Sequence, residues 1–255
     1  MLSGTPEKHG ERHHVTYELY YWDDIPGRGE FVRLVLEETG APYREMGKGK
    51  AGTKAIMDYL GDNSGPYPPF APPFLKDGEL IVSHVANILD YLGPKHGLAP
   101  TDEQERIFAK GLQLTLADFV AEAHDTHHPL GIDDYYEDQK AEAKKRSEAF
   151  IESRIPKFLG YFEKVIVKNP TENGFVVGDS LTTIDLSLFH VVDGLRYAFP
   201  RATSDLDKRY PKVMALHKKV GARPNIATYL ASDRRLDFNE SDVFRHYSEL
   251  DQDPA

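Results

Sequence analysis

Cysteine is absent from all 255 residues, which excludes disulfide scaffolding, a thiolate metal site and a protein-thiol nucleophile. If the chain handles a thiol, that thiol belongs to its substrate. Long apolar runs are missing too: no stretch approaches the roughly 18–20 residues needed to cross a bilayer. Nor is there a concentrated basic patch. The 41 Asp and Glu outnumber the 31 Lys and Arg, giving a formal charge of -10, and the acids are spread along the chain, unlike a nucleic-acid-binding surface. The opening MLSGTPEKHGERHH has no hydrophobic signal core and reads as a frayed tail, residues 1–14, on a soluble cytoplasmic chain. No internal repeat or low-complexity segment appears. What is present is 40% apolar content, enough for one large domain or two modest ones.

The most informative stretch is VTYELYYWDDIPGRGEFVRLVLEE, residues 15–38. Val15, Tyr17, Leu19 and Tyr21 fall on one face of a period-two strand, with Thr16, Glu18, Tyr20 and Trp22 on the other. Pro26, Gly27 and Gly29 break that strand, and from Glu30 the apolar spacing becomes helical. Turn amides and a positive helix start then lie close to the strand end, a junction suited to a small anionic group. A short extended segment, Pro42 to Met46, and a helix follow, which suggests a βαβ unit. The proline-rich loop GDNSGPYPPFAPP precedes a hairpin whose turn is Lys76-Asp77-Gly78-Glu79. The helix after it carries Val85, Ile88, Leu89 and Leu92 on one side and is expected to stop at Gly93-Pro94.

Beyond a linker everything reads as helical. One helix is expected over about Glu103 to His127, capped by Thr101, and another over about Glu137 to Lys168 with a kink at Pro156. Thr182 and Asp185 have capping-box spacing, and Pro211 and Pro224 sit at first-turn positions of further helices. The fold class is thus α/β plus all-α: a small α/β unit over residues 15–94, an all-helical unit over 103–240, and tails 1–14 and 241–255.

In this order, four motifs resemble the cytosolic glutathione transferases over essentially Tyr17 to Asn239. YYWDDIPGRGEFVRLVLEE looks like the first strand and helix of the tyrosine-type classes, sigma and mu in style. PPFLKDG is similar to the segment that holds a cis-proline, with Pro73 in that position. VSHVANILDYLG resembles the helix whose start binds the γ-glutamyl carboxylate, and GDSLTTIDLSLF the capping box of the helical domain. The resemblance implies a thioredoxin-like N-terminal domain, a homodimer, and glutathione as co-substrate with no metal. It also implies a hydroxyl near the end of the first strand that stabilises the thiolate. No Ser or Cys occurs between Thr16 and Arg44, leaving Tyr21, which precedes Trp22-Asp23 as in the mu class, in preference to Tyr20. Plain packing of both rings in the strand is the structural alternative.

For the rest of the glutathione site the resemblance implies Trp22 and Arg28 near the glycyl end or the sulfur. It takes Lys54, ahead of Lys48 and Lys50, for the glycine carboxylate. Pro72, Pro73, His84 and Val85 then stand against the backbone and the γ-glutamyl group, and Asp118 reaches across a dimer interface. Arg28 as a helix-start charge and Asp118 as a solvated helical residue are the plain alternatives. Two departures stand out. Pro72 has no N–H to offer the cysteinyl part, a loss of about 1 kcal/mol. Val85 stands where a hydroxyl is expected, a charge-assisted bond worth ~1.5–3 kcal/mol. Together they lower affinity by about 30- to 1,000-fold if nothing compensates.

His124 and His128 share a helix face at the spacing of a metal pair, but no Glu lies between them as a zincin would require. They read instead as lining the electrophile pocket, with Tyr197 and Phe199. DDYYED at 133–138 reads as an acidic loop with aromatic anchors, and the tail after the last helix covers either the pocket or the dimer surface. The expected function is conjugation of glutathione to an electrophilic small molecule. The alternatives are a non-catalytic ligand-binding or interaction protein with this fold and a glutathione-dependent isomerase.

Overall fold

The computed structural model describes residues 16–61 and 66–254; the expected tail 1–14 lies outside them. Strand β1 (Tyr17–Tyr20) leads through a turn into helix α1 (Gly29–Thr39), and β2 (Tyr43–Glu45) returns parallel to β1, with Tyr17 opposite Tyr43. This is the expected βαβ unit. Helix α2 (Gly49–Gly61) follows, then β3 (Phe74–Asp77) and β4 (Leu80–Ser83), an antiparallel hairpin closed by Gly78-Glu79, and helix α3 (Val85–Lys95). The sheet order is β2-β1-β3-β4, with β1 and β3 antiparallel.

Alternation along β1 builds three layers. Tyr17 and Leu19 point into the main core with Phe31, Val35, Ile88 and Leu92 of α1 and α3. Tyr20 points the other way, into a small cluster with Ile56 and Phe74 under α2. Each fully buried Leu, Ile or Phe here contributes about 1.5–3 kcal/mol relative to exposure.

Helix α3 does not stop at Gly93-Pro94. Pro94 lies inside it and the helix runs to Lys95, because a proline late in a short helix breaks few hydrogen bonds; His96 N–H then closes the end on Leu92 and Gly93 carbonyls. Helix α4 (Glu103–Asp125) is capped by Asp102, whose carboxylate accepts from Glu105 N–H at 2.9 Å, and not by Thr101. The single helix expected over 137–168 is divided. A 3₁₀ turn at Tyr136–Asp138 precedes α5 (Lys140–Ala149), a π segment at Phe150–Arg154 and α6 (Ile155–Lys168). The interruption falls just before Pro156, whose ring cannot accept the regular ladder.

Helix α7 (Thr183–Ala198) runs buried through the helical unit and packs on α1, α4 and on α9 (Pro211–Gly221). The Asp185 carboxylate, fully buried, accepts from Thr182 N–H at 2.7 Å and Val176 N–H at 2.8 Å, so the expected capping box is present. A short α8 (Leu206–Arg209), which no sequence signal marked, precedes α9; α10 (Pro224–Leu230) packs back on α1. From Leu236 the chain crosses the molecule without regular structure until a 3₁₀ turn at Ser248–Leu250.

Candidate functional site

Tyr21 leaves the end of β1 on the face of Leu19, opposite Tyr20. Its hydroxyl accepts the Arg28 backbone N–H at 2.9 Å, and its ring lies flat against the turn. The two glycines of that turn are required there. A Cβ at Gly29 would come within 2.6 Å of the Tyr21 ring, and one at Gly27 would overlap its hydroxyl. Tyr20 has no such position: it stacks on Phe74 with centroids 4.5 Å apart and donates to Glu18 at 3.2 Å. Only Tyr21 is held beside the turn amides.

Tyr21 is 4% exposed. Burial pushes its hydroxyl up to about 12; the Arg28 N–H and the charges of Arg28 and Arg33 pull it back, while Asp242 adds to the rise. It therefore keeps its hydrogen at neutral pH and has it available to donate. Arg33, 2% exposed, donates to Glu45 at 2.5 Å and to the Pro26 carbonyl at 3.0 Å. The wholly buried Glu30 accepts from Tyr229 at 3.0 Å and faces Arg235 at 3.1 Å, tying α1 to α10 and the segment after it. Burial raises the Glu30 carboxyl, and the Arg235 and Arg33 guanidiniums oppose that rise. The turn beside Tyr21 is thus anchored from within.

A cavity of about 660 Å³ opens beside Tyr21, reaching Trp22, Asp23, Arg33, Arg44 and Lys48 on one side and Arg234 on the other. Of the three lysines, Lys48 lines it. Lys54 is bound to Asp58 one turn along α2, at 2.6 Å, and points into solvent. The Pro72–Pro73 peptide is cis, as the motif implied. His84 caps α3 at φ 72°, an uncommon conformation for a side-chain-bearing residue, and its Nδ1 accepts from Ala86 N–H at 3.3 Å. Val85, in the first turn, is buried. Pro72, Pro73, His84 and Val85 do not border the Tyr21 cavity. Asp118 is exposed on α4.

Sequence reasoning left the tail undecided, and the structure lays it over Tyr21. Asp242, Val243 and Phe244 are buried, and Asp242 sits against Gly27. Burial raises the Asp242 carboxyl to about 7, and its Oδ2 has no hydrogen-bond partner among the described residues. Phe244 occupies the space that a Cβ at Gly194 would need. His127 bonds the Val243 carbonyl at 2.9 Å, His246 bonds the Ala198 carbonyl at 3.0 Å, and Asn239 donates to the Asp24 carbonyl at 2.8 Å. Tyr197 stacks on Phe238 at 5.2 Å and Tyr136 on Tyr247 at 3.9 Å. Tyr136 is the anchor of the acidic loop; Tyr135 is exposed. His124, His128 and Tyr197 therefore lie along the path of the tail. Asp242 and the tail partner of His127 were missed because these contacts span more than 100 residues.

The C-terminal domain model of glutathione S-transferases matches residues 124–233. A glutathione S-transferase of Plasmodium falciparum is 26% identical over 84% of this chain and 94% of its own, and glutathione S-transferase Mu 6 of Mus musculus is 29% identical over 86% and 92%. Residues 124–233 thus match the glutathione S-transferase C-terminal domain, and the likeness to curated glutathione S-transferases runs over most of the chain. Among solved structures, prostaglandin synthase D of Nilaparvata lugens superposes with a TM-score of 0.67 at 22% identity, over 86% of this chain and 98% of its own, a likeness of fold. The α/β unit with its all-helical partner is therefore the family's fold, and the thioredoxin-like reading of the first domain stands. No helix among the described residues is long and apolar enough to cross a membrane.

Proposed function

We propose that this chain is a glutathione S-transferase that conjugates glutathione to an electrophilic small molecule, with Tyr21 donating a hydrogen bond to the bound thiolate. One observation carries this reading: of the two tyrosines at the end of β1, only Tyr21 has its hydroxyl against the turn amides, and the same residue borders a cavity of about 660 Å³. A free thiol has a pKa near 8.5, so a fixed donor at the sulfur raises the thiolate fraction at neutral pH. Burial keeps that donor protonated.

Trp22, which borders the cavity, and Arg28, whose N–H meets the Tyr21 hydroxyl, stand around the sulfur, while Pro72, Pro73, His84 and Val85 take the glutathione backbone outside that cavity. Lys48 takes the place of Lys54 at the glycine carboxylate, because Lys54 is spent on Asp58. The second substrate lies on the side of His124, His128 and Tyr197, under the tail. The working form is a homodimer in the cytoplasm. Ile107 and Leu114 are exposed on the face of α4 that carries Asp118, and Phe70 of the proline-rich loop is 99% exposed; an apolar stripe of this kind is what a second copy would cover.

Passage over immobilised glutathione, followed by thermal unfolding with and without free glutathione, tests the proposal. Retention and a raised midpoint are expected; neither appearing would overturn the enzymatic reading in favour of a non-catalytic protein of this fold.

A further inference from the structure

His124 and His128 at i,i+4 without an intervening Glu do not by themselves indicate a metal; two structural facts change that. His128 N–H reaches the His124 carbonyl at 3.3 Å, so the helical turn continues past the end of α4. The two rings are thereby stacked with centroids 5.1 Å apart, and His127 stands edge-on to both, at 4.7 and 4.8 Å. A ring nitrogen from each lies within 4.8 Å of the other two.

The second fact is the state of His127. A carbonyl only accepts, so the 2.9 Å bond to Val243 means that His127 Nε2 carries the ring hydrogen. Its Nδ1 lone pair is then turned towards His128 Nδ1, 2.5 Å away. A backbone carbonyl holding the far N–H is how metal-bound imidazoles are oriented.

We propose that His124, His127 and His128 form a site for a divalent transition ion, of the zinc, cobalt, nickel or copper kind, bound through one nitrogen of each ring. This site shares His124 and His128 with the proposed second-substrate side, but its test reads metal uptake and does not depend on transferase activity. Nitrogens around a tetrahedral ion at ~2.0–2.1 Å lie roughly 3.3 Å apart, so small ring rotations must part His127 from His128 and bring His124 in. The hydrogen that His128 now donates from Nδ1 moves to its Nε2, and three neutral rings remain neutral. Arg28 and Arg245 act on the cluster from one side and Asp134 on His128 from the other. The arginines weaken every cation alike, so selection rests on ligand type: imidazole favours these ions over calcium or magnesium. Water or a small anion completes the coordination.

Cobalt(II) titration of the full chain, read by calorimetry and visible d–d absorption, tests the site. Because His9, His13 and His14 also offer imidazoles, the comparison uses two variants. The His124→Gln/His128→Gln protein should lose the d–d band and bind at least about tenfold more weakly. The His9→Ala/His13→Ala/His14→Ala protein should keep both band and affinity. Equal uptake and spectrum in the unsubstituted chain and His124→Gln/His128→Gln, or loss of the band from the triple variant, overturns the proposal. If the double variant does not fold, the triple variant alone decides.

Discussion

Tyr21 and Tyr20 differ in what surrounds the oxygen and not in side chain. Replacing Tyr21 by Phe removes the one hydroxyl beside the turn amides. Its kcat/KM with a chromogenic electrophile should fall on the order of 100-fold, and the bound thiol should titrate nearer its free value when followed by thiolate absorption. Tyr20→Phe should leave turnover intact, since that hydroxyl faces Glu18 and Tyr59 and not the turn. Arg33 is the second residue whose surroundings decide its effect. Arg33→Met strips a partner from buried Glu30 and from Glu45, and unfolding in urea should show a loss of about 3–5 kcal/mol, the cost of breaking a buried ion pair.

Histidine 190 carries a pH signature. Burial lowers its imidazole to about 3, aided by Arg235, while the bond to the Gly27 carbonyl opposes the shift. Unfolded, the ring titrates near 6.5. Above that pH the folded and unfolded forms are both neutral and stability is unaffected. Between 6.5 and 3 only the unfolded chain takes up the proton, so stability falls as pH falls, by about 1.4 kcal/mol for each unit. Asp185 and Asp242, raised to about 6 and about 7, act with the opposite sign over part of this range. The measurable quantity is therefore a difference: unfolding free energy should decline less steeply from pH 7 to 5 in His190→Gln than in the unsubstituted chain.

At the scale of elements, much of the architecture was legible because its signals are local. Alternation in β1, the Gly27-Arg28-Gly29 turn, Asp77-Gly78 and the Thr182–Asp185 box each need only neighbours in sequence. Asp185→Ala removes the acceptor of two buried N–H groups and should lower stability by about 1–3 kcal/mol in thermal unfolding, with α7 the first helix to lose amide protection. Boundaries were less legible. Pro94 and Pro156 look alike as breakers, yet one is carried inside a helix and the other sits after a π segment, because tertiary packing decides which ladder bonds can be given up. Among site residues, Tyr21 and the cis Pro72–Pro73 bond were readable from motif spacing. The places of Lys48 and Lys54 were not: Lys48 borders the cavity, while Lys54 pairs with Asp58 on the outer face of α2.

For the whole molecule the deciding element is the least regular one. The segment from Phe238 to Leu250 has no periodicity to read, and its position follows from cavities left by residues far off in the chain. Gly194 is the clearest case, since its missing side chain is filled by Phe244. Gly194→Val should expel that ring, loosen the tail and speed limited proteolysis between residues 238 and 250, while the α/β unit keeps its protection.

The anchors of that segment also set a sequence of events during synthesis. Asn239 meets Asp24 across 215 positions, His127 meets Val243 across 116, and Tyr136 meets Glu249 across 113. Domains fold as the ribosome delivers them, N-terminal first, so the sheet can form before residues 239–249 exist. A nascent chain stalled ahead of Asn239 would lack Asp242, Val243 and Phe244, the buried residues that lie over the Tyr21 turn in the finished fold.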